Sequence, residues 1–116
     1  MGKETQQLTV NILSEGTELT GDMTAGSDLR IDGAVKGNVK TTGKIVLGPT
    51  ARVEGTVESP EIDIIGTLEG NIVSDGLVTL REKSVVTGKI NTAFLSVESG
   101  AIFKGECNIL REKTRT

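Results

Sequence analysis

The residues of this chain that could carry out chemistry are one cysteine and a scattered set of carboxylates and lysines. Histidine, tryptophan and tyrosine are absent from all 116 residues. Without histidine, the chain lacks the commonest general base near neutral pH and the commonest metal ligand in proteins. A single cysteine cannot form an internal disulfide, and it cannot by itself build a Cys/His zinc site. The sequence therefore predicts neither a redox-active site nor a metal centre.

Cys107 has two interpretations, one structural and one chemical. It ends a series of apolar residues that stand two positions after a repeated glycine: Met23, Val39, Val57, Ile72, Ile90 and Cys107. Because free cysteine commonly behaves as a small buried hydrophobic residue, we expect it to fill a core position. The alternative is a reactive or cross-linking thiol.

Charged side chains recur at similar outward positions of successive repeats, among them Glu54, Glu69 and Lys89. Carboxylates in solvent usually keep unperturbed pKa values, so we expect a solvated polar surface and no acid–base pair. No glycine-rich phosphate-binding motif precedes a helix, and no basic stripe with interleaved aromatic residues indicates nucleic-acid binding. The sequence predicts a protein that is not an enzyme, needs no cofactor and does not bind nucleic acid.

A unit of five residues dominates the sequence: apolar, spacer, glycine, spacer, apolar. Its six copies are centred on Gly21, Gly37, Gly55, Gly70, Gly88 and Gly105. Successive glycines lie 16, 18, 15, 18 and 17 residues apart, which is the length of one coil of a β-solenoid. We interpret them as corner glycines, at bends where the interior has no room for a side chain and the backbone requires a positive φ.

An alternating triplet rich in β-branched residues precedes each glycine unit. The triplets are Val10-Asn-Ile12, Leu29-Arg-Ile31, Ile45-Val-Leu47, Ile62-Asp-Ile64, Val78-Thr-Leu80 and Leu95-Ser-Val97. Such alternation indicates strands, and no window has the period of an amphipathic helix. The sequence predicts one all-β domain, residues 9–107, of about six triangular coils without helices, between short disordered tails at 1–8 and 108–116.

The connection between the two halves of a coil varies in length. The step from the last triplet residue to the next apolar residue is four residues in two coils and six in three, but seven from Ile12 to Leu19. The extra residues are turn formers or charged, so we expect them to bulge from one edge of the prism.

The sequence resembles the bactofilins, a family of bacterial cytoskeletal proteins. The resemblance is carried by the coil period and by two segments, Leu29–Val39 (LRIDGAVKGNV) and Ser84–Ile90 (SVVTGKI). The resemblance runs from about Leu8 to Cys107. It implies a right-handed parallel β-helix that polymerises without nucleotide into non-polar filaments. In this family the filaments are often membrane-associated and act as scaffolds for cell shape and envelope functions, with cell-envelope proteins as partners.

The ends of the predicted solenoid indicate polymerisation independently of the resemblance. An uncovered end exposes unpaired N–H and C=O groups above an open apolar core, which is a template for another chain. The residues we expect at these end contacts are Phe103, Val10, Ile12, Leu95, Val97 and Cys107. Two symmetric contacts would give a non-polar filament and one heterologous contact a polar one, and the residues alone do not choose between them.

Two outward series of residues become apolar toward the C-terminal coils. The position before the first strand reads Asp28, Lys44, Glu61, Leu77, Phe94, and the position before the second reads Arg52, Thr67, Val85, Ile102. Because exposed apolar patches mark contacts, we expect Leu77, Val85, Phe94 and Ile102 to contribute to lateral association or partner docking. If the two series lie on different faces, they would act separately.

The two terminal segments could carry signals that would direct the protein to a membrane. Residues 1–7 contain no apolar signal-peptide core, and no segment is apolar enough to span a bilayer. Residues 108–116 are mildly basic, which fits either a weak electrostatic tether to an anionic membrane or a plain solvated tail. We expect a cytoplasmic protein, held at the inner face of the membrane if the tether operates. The alternative function is a non-polymerising solenoid that presents a flat face to a protein or surface ligand.

Overall fold

The structure, a computed structural model, describes residues 10–110. Within this range the chain forms twelve β-strands and no helix. All the strand pairs between successive coils are parallel and join residues 15 to 18 positions apart. The predicted all-β parallel solenoid of about six coils is confirmed.

The strands are short in the first coils and long in the last. The first two coils consist of β1 (Val10–Leu13), β2 (Glu18–Thr20), β3 (Met23–Ala25), β4 (Asp28–Ile31), β5 (Ala34–Lys36) and β6 (Val39–Thr41). The third coil begins with β7 (Lys44–Leu47). The chain continues with β8 (Arg52–Glu58), β9 (Glu61–Ile64), β10 (Thr67–Leu80), β11 (Val85–Val97) and β12 (Ile102–Ile109). The last coil therefore extends two residues beyond the predicted boundary at Cys107.

Each coil contributes one segment to each of three sheet faces. Face 1 contains residues 10–13, 28–31, 44–47, 61–64, 77–80 and 94–97. Face 2 contains 18–20, 34–36, 52–54, 67–69, 85–87 and 102–104. Face 3 contains 23–25, 39–41, 57–58, 72–73, 90–92 and 107–109.

The interior is filled by aliphatic side chains stacked in columns. In coils two to five they are Leu29, Ile31, Val35, Val39, Ile45, Leu47, Val53, Val57, Ile62, Ile64, Leu68, Ile72, Val78, Leu80, Val86 and Ile90, each at most 2% exposed. Burying each such side chain stabilises the fold by roughly 1.5–3 kcal/mol. The narrow prism is therefore held by many similar small contributions and by the ladder between coils.

The corner glycines adopt the predicted positive φ, between +123° and +150°. The structure gives a different steric reason from the one expected. In coils two to six, a Cβ on each glycine would collide with the backbone carbonyl oxygen of the corner glycine one coil earlier, whereas Gly21 has no atom within 4 Å of that position. The glycines are thus required by the close stacking of successive coils, in addition to the unusual backbone conformation.

The register of the first coil corrects one prediction. Asn11 pairs with Leu29, Ile12 with Arg30 and Leu13 with Ile31. Leu13 is therefore the inward residue, and Ile12 points outward with 62% of its surface exposed. The predicted inward triplet Val10-Asn-Ile12 was one residue out of register.

The turn that follows explains the correct register. With Leu13 inward, the step to Leu19 is six residues, as in the other long corners. Each long corner is closed by a backbone hydrogen bond between residues three apart: Thr17 to Ser14, Ala51 to Gly48, Ser84 to Arg81 and Ala101 to Glu98, at 3.0–3.1 Å. The first coil uses this common turn, and placing Ile12 inward would have disrupted it.

A column of buried hydroxyl groups lies at the corner between face 3 and face 1, and it was not predicted. Its members stand four residues after a corner glycine: Thr41, Ser59, Ser74 and Thr92, all at most 3% exposed. Each hydroxyl donates to a backbone carbonyl oxygen of the preceding corner, at Ser27, Gly43, Pro60 and Gly76 respectively. These bonds give the carbonyl groups a side-chain donor where the chain turns, and at Pro60 the hydroxyl adds to a bond from the Leu77 backbone amide at 3.2 Å.

Candidate polymerisation surfaces

The N-terminal end of the described solenoid is an open sheet edge. Strands β1, β2 and β3 each pair with a strand of the second coil and with no other described strand. The inward residues Leu13, Leu19 and Met23 pack on the core but remain partly exposed. Beside them lies a hollow of about 410 Å³, lined in part by Leu13, Met23 and Leu29. This end therefore combines unpaired backbone groups with exposed apolar core.

The C-terminal end of the described solenoid has the same character. Residues 94–97 and β12 pair with the fifth coil alone. Leu95, Phe103 and Cys107 are partly exposed, although the residues they stack on, Val78, Val86 and Ile90, are fully buried. Val97 also lies in an inward column, above Leu80, and is 54% exposed. These residues stay in the same inward columns as in the fifth coil. They are exposed because no seventh coil among the described residues covers them.

The residues predicted for the end contacts fall on both ends. Phe103, Leu95, Val97 and Cys107 lie together at the C-terminal end, in the inward columns. Ile12 belongs to the first coil, at the N-terminal end, but it points outward. Its exposed side chain therefore lies beside the N-terminal end and not within it. Val10 lies in β1, and its side chain is outside the described residues. The contribution of these residues to polymer contacts stays a prediction.

Cys107 occupies the core column expected for it, stacked on Ile90. Its side chain is partly buried, and burial raises the pKa of the thiol above its ordinary value. A raised pKa lowers the fraction of reactive thiolate at neutral pH. The geometry thus favours the structural interpretation of this cysteine over the reactive one.

The two apolar outward series are confirmed in register but lie at different corners. Glu61, Leu77 and Phe94 stack at the start of face 1. Thr67, Val85 and Ile102 stack at the start of face 2. The four apolar residues therefore form two separate strips. Phe94 is 67% exposed and Leu77 36%, whereas Ile102 is 48% exposed and Val85 is partly buried.

A charged cluster that was not predicted connects the last three coils. The Arg81 guanidinium donates from Nε and Nη2 to the Asp63 carboxylate over 2.7 and 2.8 Å, and from Nη1 to Glu98 over 2.9 Å. Glu98 also accepts a bond from the backbone amide of Glu82, at 3.0 Å. This amide and then Arg81 hold the pKa of the Glu98 carboxyl below its usual range. The spacing of 17 residues between Arg81 and Glu98, which is the coil step at that position, was the available signal.

Groups that could bind a metal or act as an acid–base pair are not assembled in residues 10–110. No three side chains of the metal-ligating types come together there. Glu54 and Glu69 are neighbours on face 2, but Lys89 stands beside Asn71, so the predicted similarity of its position to theirs was wrong. No helix long and apolar enough to cross a bilayer occurs in the part of the chain that the structure describes.

Comparison with known proteins agrees with the coil architecture. The family model "Bactofilin: Polymer-forming cytoskeletal" matches residues 11–108. Bactofilin BacO of Myxococcus xanthus (strain DK1622) is 26% identical over 107 residues, which cover 92% of this chain and 85% of BacO. The cryo-EM reconstruction of Thermus thermophilus bactofilin double helical filaments is similar in structure, with a TM-score of 0.78 and 34% identity, over 84% of this chain and 96% of that one. The chain belongs to the bactofilin family of polymer-forming cytoskeletal proteins.

Proposed function

We propose that this chain polymerises end to end into filaments without nucleotide. The observation that carries the proposal is the pair of open ends, where columns of fully buried residues terminate in partly exposed Leu13, Leu19 and Met23 on one side and Leu95, Phe103 and Cys107 on the other. Contact between ends would bury these apolar residues and pair the free edge groups of the strands. This driving force is present in the folded chain itself, so polymerisation needs no hydrolysis step.

The filaments are non-polar in this proposal. One contact joins two N-terminal ends and the other joins two C-terminal ends, so each is isologous. The support is the family resemblance together with the chemistry of each end, which presents its own set of apolar residues and unpaired strands to a second copy. A filament built in this way contains protomers in alternating orientations.

The filaments are also double-stranded in this proposal. The support is the Thermus thermophilus bactofilin, which is 34% identical to this chain and was reconstructed as double helical filaments. Two strands that wind around each other must contact through side surfaces of the solenoid, because the ends are occupied within each strand.

The cellular role we propose is a cytoplasmic scaffold for cell shape or for envelope-associated processes, at the inner face of the cell membrane. The support is membership of a polymer-forming cytoskeletal family. Envelope proteins are the proposed partners besides the chain itself.

Negative-stain electron microscopy and sedimentation of the purified chain, without nucleotide or divalent metal, test the polymerisation proposal. We expect long filaments that pellet under both low and high salt. A monomeric sedimentation profile over a wide range of protein concentration and salt would reject it.

A further inference from the structure

Phe94 and Leu77 form an exposed apolar strip at the corner between face 3 and face 1. The two residues stack in adjacent coils, and both are exposed. The chain returns to the same corner at Leu110, whose backbone amide binds the Thr92 carbonyl oxygen at 2.7 Å and whose side chain is exposed. The strip, defined as Leu77, Phe94 and Leu110, therefore runs to the C-terminal end of the described solenoid.

The strip is confined to the last two coils. The same position carries Lys44 and Glu61 in the third and fourth coils, and these form an ion pair at 3.6 Å. Asp75, exposed at the same corner, adds a further negative charge beside Leu77. This corner of the solenoid is therefore apolar only in its last two coils, and it is charged in the third and fourth.

The strip is too small to hold a monomeric partner alone. Stable protein interfaces bury about 800 Å² on each partner, and three side chains supply only part of that area. In the non-polar polymer proposed above, however, protomers alternate in orientation, so two strips recur in every repeat of two protomers, that is, in every twelve coils or about 58 Å at the spacing of neighbouring strands. A partner that repeats with the same period would meet many copies at once, and weak contacts would add along its length.

We propose that this strip is the contact by which a filament strand pairs with a second strand of the same chain. The inference rests on the proposed double-stranded filament and assigns its interface. A second strand is the partner that necessarily repeats with the period of the strip. Among the described residues, the charges beside the strip are mainly acidic: Glu61 and Asp75 flank it, and Lys44 is paired with Glu61. This part of the surface therefore disfavours an anionic membrane as the partner.

Two matched double substitutions test the assignment. Leu77→Ser/Phe94→Ser removes two of the three apolar side chains of the strip, and Val85→Ser/Ile102→Ser makes the same change in the same two coils at the other corner. The measurement is mass per length by scanning transmission electron microscopy, with circular dichroism and pelleting as checks on fold and polymerisation. We expect the first variant to form single strands with half the wild-type mass per length and the second to keep paired strands.

Several outcomes would overturn the assignment. They are paired strands in the first variant, single strands only in the second, or single strands in both. Loss of pelleting in a folded first variant would place the strip in the end contact instead. Unchanged pairing with loss of binding to phosphatidylcholine–phosphatidylglycerol vesicles would make the strip a membrane contact.

If the double variant is unfolded, the single substitution Phe94→Ser makes the same test, because the Phe94 side chain lies mostly in solvent. Failure of the wild-type chain to polymerise would instead reject the proposed function itself.

Discussion

The guanidinium of Arg81 forms a two-bond ion pair with the carboxylate of Asp63, one coil below, over 2.7 and 2.8 Å. The same guanidinium binds Glu98, one coil above, so a single side chain connects three successive coils. All three side chains have access to solvent, and salt screens such contacts. The cluster therefore stabilises the last coil modestly and in a way that depends on pH and ionic strength.

The first prediction concerns the pH dependence of stability. The pKa of Glu98 is lower in the folded chain than its unfolded value, because the Glu82 amide and Arg81 favour the charged carboxylate. Its contribution is present above the unfolded pKa of about 4.5 and is lost as the pH falls through the folded value. We expect Glu98→Gln to lower the thermal midpoint at pH 7 more than at pH 3, measured by circular dichroism at equal protein concentration. An equal effect at both pH values would contradict the role assigned to Glu98.

The second prediction concerns the corner glycines. In Gly88→Ala, the new Cβ would meet the Gly70 carbonyl oxygen, and alanine would have to adopt a φ of +131°. We expect a loss of about 2 kcal/mol or more in the free energy of unfolding. Gly26→Ala is the control, since nothing lies within 4 Å of its Cβ position and its φ is not in the positive range. Equal thermal midpoints for the two variants would show that coil stacking does not require the glycine.

The third prediction contrasts two buried hydroxyl groups. The Ser84 hydroxyl is fully buried and is the one buried side-chain group among the described residues without a hydrogen-bond partner. Its neighbours in the stack are Gly66 and Ala101. We expect Ser84→Ala to raise the free energy of unfolding by about 1 kcal/mol, because an unsatisfied buried polar group is removed.

Thr92→Val is the matched opposite case. The Thr92 hydroxyl lies 3.0 Å from the carbonyl oxygens of both Gly76 and Phe94. Valine has nearly the same shape but leaves these carbonyl groups without that donor, so we expect a loss of about 1–3 kcal/mol. Denaturant unfolding of both variants measures the contrast. A stabilised Thr92→Val or a strongly destabilised Ser84→Ala would contradict the hydrogen bonding described here.

The repeat itself made most of the fold predictable from the sequence. Corner glycines, inward columns and the apolar drift of the outward positions all follow from one period, because each coil stacks on a nearly identical one. The register of the first coil was mispredicted because Val10-Asn-Ile12 has the apolar alternation, whereas the residues paired with inward Leu29 and Ile31 are Asn11 and Leu13. Only the turn at Ser14–Thr17 indicates the correct register. The hydroxyl column could have been found, since its members stand four residues after the corner glycines.

The candidate interfaces were less predictable than the fold. Sequence columns identify which residues share a position, but they do not give the angle between columns. Leu77 and Ile102 could therefore be placed on one patch or on two, and only the three-faced coil separates them. The Arg81 cluster was missed because Asp63 occupies a different position of the repeat from Arg81 and Glu98, so the three charges do not form one column.

The final prediction concerns Phe103, which stacks on Val86 in the last coil and is partly exposed at the C-terminal end. In Phe103→Arg, a charge would have to be buried without a partner when two C-terminal ends meet. Contacts between N-terminal ends would remain, so the variant should stop at short, folded oligomers. Phe94→Arg is the control, because this second phenylalanine of the last coil points outward and its replacement should leave end-to-end assembly intact.

Sedimentation velocity of Phe103→Arg, together with circular dichroism, tests the end-to-end assembly most directly. If Phe103→Arg is unfolded, Val97→Arg makes the same test, because Val97 lies at the same end and is already more than half exposed. We predict folded dimers, the product of a single symmetric N-terminal contact. Folded monomers would contradict the non-polar arrangement, and filaments of wild-type length would contradict assembly through the C-terminal end.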